Sequence, residues 1–483
     1  MKNSMCLWIK NCFYGFAAIT SLLIFCSGLC VASEMKPETL KFAPFGKVII
    51  YRKTPPPSQV VLFVSGDGGW KRDVVDMANV LTEMNALVVG IDFPKYRKGL
   101  SKAKGKCLYC AADFENLSKY IQKIQGFPSY IKPTLFGFHS GATLVYALLV
   151  QAPANSYQGV VSIGFCPNLN LPKPMCRGNG LEWTGPFKGK NYTFLPSAKV
   201  EAPWIVFQQL SDQAGEPPSI DAFVRSVNAA QLIPIAKTDL TLPSIQNGMP
   251  QFKTAFKTAF TSKQPKPATV SPVSDLPLKE VIPSESKGDF LAVIVTGDGG
   301  WATIDKEIGA DLAEAGIPVV GLNSLSYFWT KRNPEVSARD LERIISHYLS
   351  TWKKNKVLLI GYSFGADVLP FMVNRLSQEA RSHVSVLSLI GLSPSADFEF
   401  KPSGWVGKGS TDSGYPVIPE LENLKGHLPV VCIEGSEDTE CACKDIHFPW
   451  IKRVTLPGGH HFGGAYERLT RVILAETKTI ENR

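Results

Sequence analysis

The stretch LLIGYSFGADVL, from Leu358 to Leu369, is an apolar run followed by a glycine-flanked serine and a helix-forming segment. Its centre, residues 361–365, has the form Gly-x-Ser-x-Gly. After a strand and before a helix, this motif predicts a sharp turn that exposes the serine oxygen, since glycines relieve the crowding of such a turn. We therefore expect Ser363 to be a nucleophile at the end of a buried strand.

A related stretch lies in the first half of the chain. TLFGFHSGATLV, from Thr134 to Val145, aligns with the serine segment and has His139 where the serine would be. A second shared motif, Gly-Asp-Gly-Gly-Trp after an apolar strand, occurs at 66–70 and at 297–301. The offset between the copies is 363 − 139 = 224 residues at the serine and 298 − 67 = 231 at the glycine turn. This near-constant offset predicts a duplicated domain.

Short apolar strands alternate with amphipathic helical stretches in both halves. This pattern predicts mostly parallel sheets with helices on both faces. The expected fold class is α/β, with two tandem α/β-hydrolase-like domains, and 483 residues exceed what one core usually holds. The expected organisation is a signal peptide at 1–32, a degenerate domain at 33–260, a Pro/Ser-rich linker at 261–277 and a catalytic domain at 278–483.

The N-terminus has the pattern of a targeting signal. Lys2 and Lys10 precede an apolar run from Cys12 to Ala32 that ends in a small residue. This predicts a secretory signal peptide and a periplasmic protein, with an uncleaved anchor as the alternative because the run is ~20 residues long. The net charge of +9 is compatible with an anionic membrane surface, and equally with a mildly basic soluble protein. No basic run with interleaved aromatic residues suggests nucleic acid.

Four of the eleven cysteines lie in the expected signal peptide, which leaves seven. In an oxidising compartment, cysteines that are close in sequence are expected to form local disulfides. Since seven is odd, at least one thiol should stay free or pair between chains. No histidine lies at ligand spacing from the Cys107–Cys110 pair, so we expect no zinc there, and we expect no cofactor elsewhere. The expected pairs are Cys107 with Cys110, Cys166 with Cys176, and Cys432 with Cys441 or Cys443.

A serine nucleophile needs a base and an acid. His460 and His461 lie in the loop Leu-Pro-Gly-Gly-His-His-Phe after the last expected strand, and His460 is favoured because it directly follows the glycines. Asp438 follows the preceding strand and is the expected acid. The chain order of serine, acid and histidine is that of an α/β-hydrolase. The alternative acids are Glu434 and Glu437.

The glycine turn of the second half is expected to form part of an oxyanion hole. Phe364 would supply one backbone N–H, and glycine backbone in the turn can approach a substrate closely enough to supply another. A phosphate loop is the competing interpretation, but no Gly-Lys-Ser/Thr follows the turn. The candidate donors in the turn are Gly297, Gly299 and Gly300.

Asp298, Trp301 and Asp367 lie beside the expected pocket and are candidate substrate-binding residues. Carboxylates at this place would pair with a cationic substrate. The alternative is that Asp298 is an ordinary turn residue and Asp367 a carboxylate at a helix N-terminus.

The first half should be inert. Ser140 is displaced by one residue from the nucleophile position that His139 fills, and Asp212 corresponds to the acid of the second half. The loop that would carry the base, around 242–248, contains no histidine. Serine hydrolysis without a base is inefficient, so we expect any activity to reside in the second half.

Three segments carry a resemblance to a known family. TGDGGW at 296–301, GYSFGADVLP at 361–370 and GGHHFGG at 458–464 resemble the AcvB/VirJ family of bacterial periplasmic virulence proteins. The resemblance implies an α/β-hydrolase that hydrolyses lysyl-phosphatidylglycerol and releases lysine, with Ser363 as nucleophile and the His460/His461 pair as base. It also implies an aminoacylated phospholipid at the membrane surface and secretion-system or envelope proteins as partners. The competing hypothesis is a non-enzymatic factor of type IV secretion that keeps the fold as a scaffold.

Overall fold

The structure is a computed structural model that describes residues 37–53, 57–187, 190–209, 220–235, 250, 253, 254, 256, 271–402 and 414–481. The expected signal peptide, Asp212, the loop at 242–248 and residues 261–270 of the expected linker lie outside these residues. No helix of the described part is long and apolar enough to cross a membrane.

The first half contains a sheet of eight strands and a small sheet of three. Its helices are α1 (Arg72–Glu83), α2 (Phe93–Leu100), α3 (Cys110–Ile124), α4 (Ser140–Gln151) and α5 (Ile220–Arg225). Its strands are β1 (Glu38–Phe42), β2 (Gly46–Tyr51), β3 (Gln59–Val64), β4 (Ala86–Ile91), β5 (Thr134–Phe138), β6 (Gly159–Ile163), β7 (Asn168–Asn170), β8 (Trp183–Phe187), β9 (Asn191–Phe194), β10 (Trp204–Gln209) and β11 (Ala230–Ile235).

The second half contains a sheet of seven strands and a pair of two-residue strands. Its helices are α6 (Thr303–Glu314), α7 (Ser324–Tyr327), α8 (Pro334–Trp352), α9 (Phe364–Asn374), α10 (Gln378–Ser382), α11 (Val417–Glu422) and α12 (Glu467–Glu481). Its strands are β12 (Leu278–Val281), β13 (Phe290–Val295), β14 (Val319–Leu322), β15 (Lys356–Tyr362), β16 (Val384–Ile390), β17 (Ser395–Ala396), β18 (Tyr415–Pro416), β19 (Val430–Gly435) and β20 (Ile451–Leu456).

The two large sheets have the same strand order. The first runs β1-β2-β4-β3-β5-β6-β10-β11 and the second runs β12-β14-β13-β15-β16-β19-β20, which is the same order without the first strand. In the first sheet β1 with β2 and β2 with β4 are antiparallel, and in the second sheet β12 with β14 is antiparallel. The other pairs of both sheets are parallel. The expected α/β class with two related, mostly parallel sheets is therefore confirmed.

Local sequence explains why these elements form where they do. The strand β13 reads FLAVIV and is buried at every position, as expected for a parallel strand covered on both faces. The helix α8 begins after Asn333, whose side chain accepts a hydrogen bond from the Val336 N–H, and has Pro334 at its first position. It ends at Lys353, which has a left-handed backbone conformation. Such strands and helices place the residues between them at one edge of the sheet.

The two halves pack against each other. Trp329 of the second half is fully buried in the apolar core of the first, and its indole Nε1 donates to the Phe127 carbonyl oxygen at 2.7 Å. Phe400 stacks on the Trp329 ring, with ring centroids 5.6 Å apart. The Lys123 ammonium of α3 forms an ion pair with Glu399 at 2.8 Å. The helix α3 is therefore a contact element between the halves.

The cysteine pairing of the first half differs from the expectation. Cys107 is bonded to Cys176, rather than Cys107 to Cys110 and Cys166 to Cys176. Backbone hydrogen bonds join the two segments, from the Leu108 N–H to Pro174 and from the Cys176 N–H to Leu108, and these align the two sulfurs. The predicted pairs were wrong because tertiary contact, and not spacing along the chain, decides the pairing. Cys110 is buried with a free thiol at the start of α3, and Cys166 is free and exposed.

In the second half, Cys432 is bonded to Cys443, one of the two pairings considered. Cys441 is free and buried. The bond closes a loop with a sequence separation of 11 that contains Asp438. This disulfide therefore ties the loop of the expected acid to the strand β19.

Candidate active site

Ser363 lies at the turn between β15 and α9. Its φ of 51° and ψ of −117° place it in a region that non-glycine residues rarely adopt. The turn also requires glycine at position 365, because a Cβ atom there would lie 1.9 Å from the Val295 carbonyl oxygen. The surrounding sheet and helix thus hold the serine in a strained conformation at the end of the strand, as in a nucleophile elbow.

His460 joins Ser363 to Asp438. Its Nε2 lies 2.9 Å from the Ser363 Oγ, and its Nδ1 lies 2.7 Å from the Asp438 Oδ2. A carboxylate can only accept hydrogen bonds, so the His460 Nδ1 carries the proton and donates it in a hydrogen bond to Asp438. The His460 Nε2 is therefore unprotonated and can take up the serine proton. The Asp438 side chain is 6% exposed, which protects this hydrogen bond from water. The structure therefore brings the three residues into the geometry that serine hydrolysis needs.

The alternative acids and the alternative base lie elsewhere. The Glu434 carboxylate accepts from the Thr455 hydroxyl at 2.9 Å, and Glu437 has an exposed side chain. The His461 Nδ1 lies 2.8 Å from the Tyr362 hydroxyl. Among the two histidines, His460 is the one that reaches the serine.

Tyr362 supports the histidine loop and was not singled out in the sequence. Its hydroxyl lies 3.3 Å from the His460 carbonyl oxygen as well as 2.8 Å from the His461 Nδ1. Burial raises the pKa of the Tyr362 hydroxyl, so it remains a neutral donor. Burial lowers the pKa of the His461 imidazole, and the neighbouring His460 lowers it further. The only sequence signal for this role is the position of Tyr362 inside the Gly-x-Ser-x-Gly motif.

The glycine turn lies against the serine. A Cβ atom on Gly297 would lie 3.6 Å from the Ser363 Cβ, so the turn backbone borders the nucleophile. Gly300 is not a free donor, because its N–H bonds to the Gly297 carbonyl oxygen at 3.0 Å and closes the turn. This corrects the expectation that included Gly300. The backbone N–H of Phe364 begins α9 directly after the serine, and Gly297 and Gly299 remain the turn candidates.

Trp301 packs against glycine backbone, and its expected role in substrate binding stays a prediction. Its ring lies on the backbone of two glycines, where a Cβ on Gly321 would be 2.0 Å and one on Gly309 would be 3.2 Å from indole carbons. The indole therefore fills the space between β14 and α6. The equivalent Trp70 lies over Gly90 in the first half in the same way.

Two carboxylates lie close to the serine. Asp367 is 7% exposed and its Oδ1 accepts from the Ser393 N–H at 2.7 Å, one helical turn beyond Ser363. Burial, with a smaller contribution from the negative charge of Asp298, raises the pKa of the Asp367 carboxyl to about 7. The charge of Asp298 also acts on Tyr362 and His461. The site therefore has a negative potential that a cationic group would relieve.

The first half reaches this site through Lys119 of α3. The Lys119 ammonium lies 3.5 Å from the Asp298 carbonyl oxygen in the glycine turn and 2.8 Å from the Glu115 carboxylate. Lys119 is 2% exposed, so both contacts are shielded from water. No sequence motif signals this contact, because it joins residues 179 positions apart and depends on how the halves pack.

The corresponding turn of the first half has the same backbone, with a histidine at the position of the nucleophile. His139 has a φ of 50° and a ψ of −117°, and Gly141 is required because a Cβ would lie 2.3 Å from the Val64 carbonyl oxygen. The Ser140 hydroxyl donates to the Asp67 carboxylate, which also pairs with Arg97 at 3.0 Å. Ser140 is thus engaged away from any imidazole, in keeping with the expectation that it is displaced.

Comparisons with known proteins found a matching family model and similar solved structures. Residues 289–481 match the model of a family described as bacterial virulence protein (VirJ). A search of the curated proteins found no match. Similar solved structures include MenH from S. aureus, which is 14% identical over 42% of this chain and 98% of that chain with a TM-score of 0.33. A proline iminopeptidase from Mycobacterium smegmatis is 13% identical over 41% of this chain and 94% of that chain, with a TM-score of 0.30.

Proposed function

We propose, on the premise that residues 289–481 belong to the VirJ family of bacterial virulence proteins, that this chain is an exported serine esterase. Its substrate would be an aminoacylated phosphatidylglycerol, with lysyl-phosphatidylglycerol as the first candidate. The observation that carries the proposal is the hydrogen-bonded series from Asp438 through His460 to Ser363. A binding protein has no need of such a hydrogen-bonded series.

In the first step, the Ser363 Oγ attacks the carbonyl carbon of the aminoacyl ester. The serine proton passes to the His460 Nε2, and Asp438 stabilises the imidazolium that forms. The tetrahedral oxyanion accepts hydrogen bonds from the Phe364 N–H and from the turn at 297–299. The ester bond then breaks, the glycerol oxygen takes the proton from His460, and phosphatidylglycerol leaves.

In the second step, a water molecule attacks the acyl-enzyme ester. His460 accepts a proton from the water, and the same backbone donors stabilise the second oxyanion. When the acyl bond to Ser363 breaks, His460 returns the proton to the serine oxygen. The amino acid leaves as a carboxylic acid that loses its proton to solvent, and the site returns to its starting state.

The charge of the site supports a cationic acyl group. A lysyl ester carries two ammonium groups, and Asp298 and Asp367 are two carboxylates near the nucleophile. An ammonium beside Asp367 would favour the charged form of this buried carboxyl and would offset its desolvation. An acyl group without positive charge would leave this pair of carboxylates uncompensated.

The test is release of amino acid from purified lipid. The full chain should release lysine from lysyl-phosphatidylglycerol in detergent micelles, faster than it releases alanine from alanyl-phosphatidylglycerol. Ser363→Ala should abolish both reactions, whereas Ser140→Ala in the first half should leave both unchanged. Equal lysine release by the parent and Ser363→Ala would rule out the esterase.

One observation favours a second function for part of the chain. The first half keeps the elbow backbone with histidine in place of the nucleophile, which supports a role other than the proposed reaction. We propose this half as the region that contacts secretion-system or envelope proteins. Loss of a bound envelope protein on changing exposed residues of the first half, with unchanged lysine release, would support it.

A further inference from the structure

The first half has a groove of about 690 Å³ between the β1–β2 turn and the helix α2. We propose that this groove docks the protein on the surface of a bilayer that contains anionic phospholipid. No aspartate or glutamate lines the groove. Five lysines line it: Lys41, Lys47, Lys95, Lys98 and Lys102.

The lysine charges of the groove are largely uncompensated. All five side chains are exposed, and only Lys95 forms an ion pair, with Asp92 at 3.1 Å. The other four ammonium groups have no carboxylate partner among the described residues. Like charges in one groove repel each other, and an external anionic surface would relieve that repulsion.

The sequence continues this surface beyond the groove. The stretch from Lys95 to Lys106 contains six basic residues and no acidic residue. Lys104 and Lys106 lie in the loop after α2 and are exposed. Clusters of four to eight basic residues are typical of segments that bind anionic lipid headgroups.

The groove also offers apolar surface between the lysines. Ala43 is exposed, and Phe42, Pro44 and Ala103 are half-buried in its wall. The headgroup region of a bilayer accepts both kinds of contact, because phosphates lie beside the outer parts of the acyl chains. A mixed surface of this kind fits a bilayer better than it fits a free small anion, which needs only charge.

A nucleic acid is the less suitable polyanion. Binding of single strands uses exposed aromatic rings on which bases stack. Phe42 is the aromatic residue that lines the groove, and its ring already packs on Tyr120 at 5.1 Å and on Phe45 at 6.3 Å. We therefore commit to the bilayer and treat nucleic acid as an outcome of the test.

Docking is a property separate from the proposed esterase reaction, and it would give the first half a function. A chain held on the bilayer by its first half would keep its second half near a lipid substrate. Because vesicle binding is measured without turnover, docking and the proposed reaction can fail independently. The Ser363→Ala variant should therefore bind vesicles as the parent does.

The test uses the full chain and sedimented vesicles. Binding should be strong to vesicles of phosphatidylcholine with phosphatidylglycerol, weak to phosphatidylcholine alone, and reduced at high salt because the interaction is electrostatic. Equal binding to both vesicle types, or no binding to either, would overturn the proposal. Efficient displacement of the protein from vesicles by single-stranded DNA would overturn the choice of lipid.

Two triple variants with the same net charge distinguish the effect of the groove on vesicle binding from the effect of net charge. Lys41→Ala, Lys98→Ala and Lys102→Ala together should weaken binding, by about fivefold per lysine. Hydrolysis of a soluble ester by this variant should match the parent. The control removes three exposed lysines outside the groove and should bind as the parent does; an equal loss in both variants would contradict a docking groove. The control changes are Lys71→Ala, Lys331→Ala and Lys425→Ala.

Discussion

The turns at Ser363 and His139 have nearly the same backbone and different chemistry. Their φ and ψ angles are 51° and −117° at the serine, and 50° and −117° at the histidine. A strained turn at the end of a strand is usually evidence of function. The first half indicates that the strain belongs to the strand-to-helix connection of this fold, so we expect the proposed reaction to depend on the side chains placed around the turn.

The imidazoles sharpen this comparison. A Cβ on Gly391 would lie 2.9 Å from the His460 Cε1, and a Cβ on the corresponding Gly164 would lie 3.0 Å from the His139 Nδ1. The His139 ring thus lies on the same glycine position as the candidate base of the second half. The first half has an imidazole in this space, attached to the elbow instead of to the late loop.

Among the variants that keep Ser363, the largest effect is expected at Asp438. Asp438→Asn keeps the size of the side chain but offers an amide to the His460 Nδ1, which favours the wrong tautomer. We expect kcat to fall by about 10⁴-fold, the size of effect seen when a triad carboxylate is replaced in this way. Glu437→Gln, which removes a nearby exposed charge, is the control. Similar kcat values for the two variants would exclude Asp438 as the acid.

The two disulfides should have different effects on the reaction. Replacing Cys432 and Cys443 by alanine should lower kcat by about tenfold or more, since that bond closes the loop of Asp438, and should lower stability by about 2–4 kcal/mol. Replacing Cys107 and Cys176 should lower stability without changing kcat. Steady-state kinetics measure kcat, and chemical denaturation measures the free energy of unfolding. An equal loss of kcat in the two variants would contradict a separate role of the Cys432–Cys443 bond in the reaction.

Asp367 predicts a pH dependence of substrate binding. With a pKa of about 7, its carboxyl is neutral below that pH and charged above it. The KM for a lysyl ester should therefore fall, by up to about tenfold, as pH rises through 7. Asp367→Asn should remove this fall, and an acetyl ester should show none in either protein. An unchanged KM profile in Asp367→Asn would show that this carboxyl does not bind the substrate.

The same carboxyl affects stability in a defined direction. Its pKa is raised above the value of about 3.9 expected in the unfolded chain, so the folded state binds more protons between these values. Raising the pH from about 4 to about 7 should therefore destabilise the parent more than it destabilises Asp367→Asn.

The smallest effect is expected at Lys119. Lys119→Met keeps the length of the side chain but removes the contact with the Asp298 carbonyl oxygen and leaves Glu115 without its cation. We expect kcat to fall by a few-fold with KM unchanged, and Lys119→Arg to restore part of it. Lys123→Met, on the same helix and also at the interface, is the control. An equal loss of kcat in the control would indicate general loosening of the interface.

Much of the fold was predictable because it depends on local patterns. Apolar strands, the two glycine motifs and their constant offset predict two related sheets, and the second begins at Leu278 as expected. The chain order of Ser363, Asp438 and His460 also predicts which residues lie together. To predict these features it is enough to know how strands and helices alternate and at which edge of the sheet the loops meet.

The remaining features depend on packing between distant segments. Spacing along the chain favours Cys107 with Cys110, whereas the contact with the segment at 174–176 selects Cys176. The packing of the Trp301 ring on the backbone of Gly321 likewise depends on a contact between separate elements. The Lys119 contact and the lysine groove join elements that no local motif connects.

The most direct test of the account is covalent labelling of the full chain with a fluorophosphonate, followed by peptide mass mapping. We predict one adduct per chain, located on Ser363, and its loss in Asp438→Asn under the same short exposure. The absence of an adduct, or an adduct on Ser140 of the first half, would contradict the assignment of the reaction to the second half.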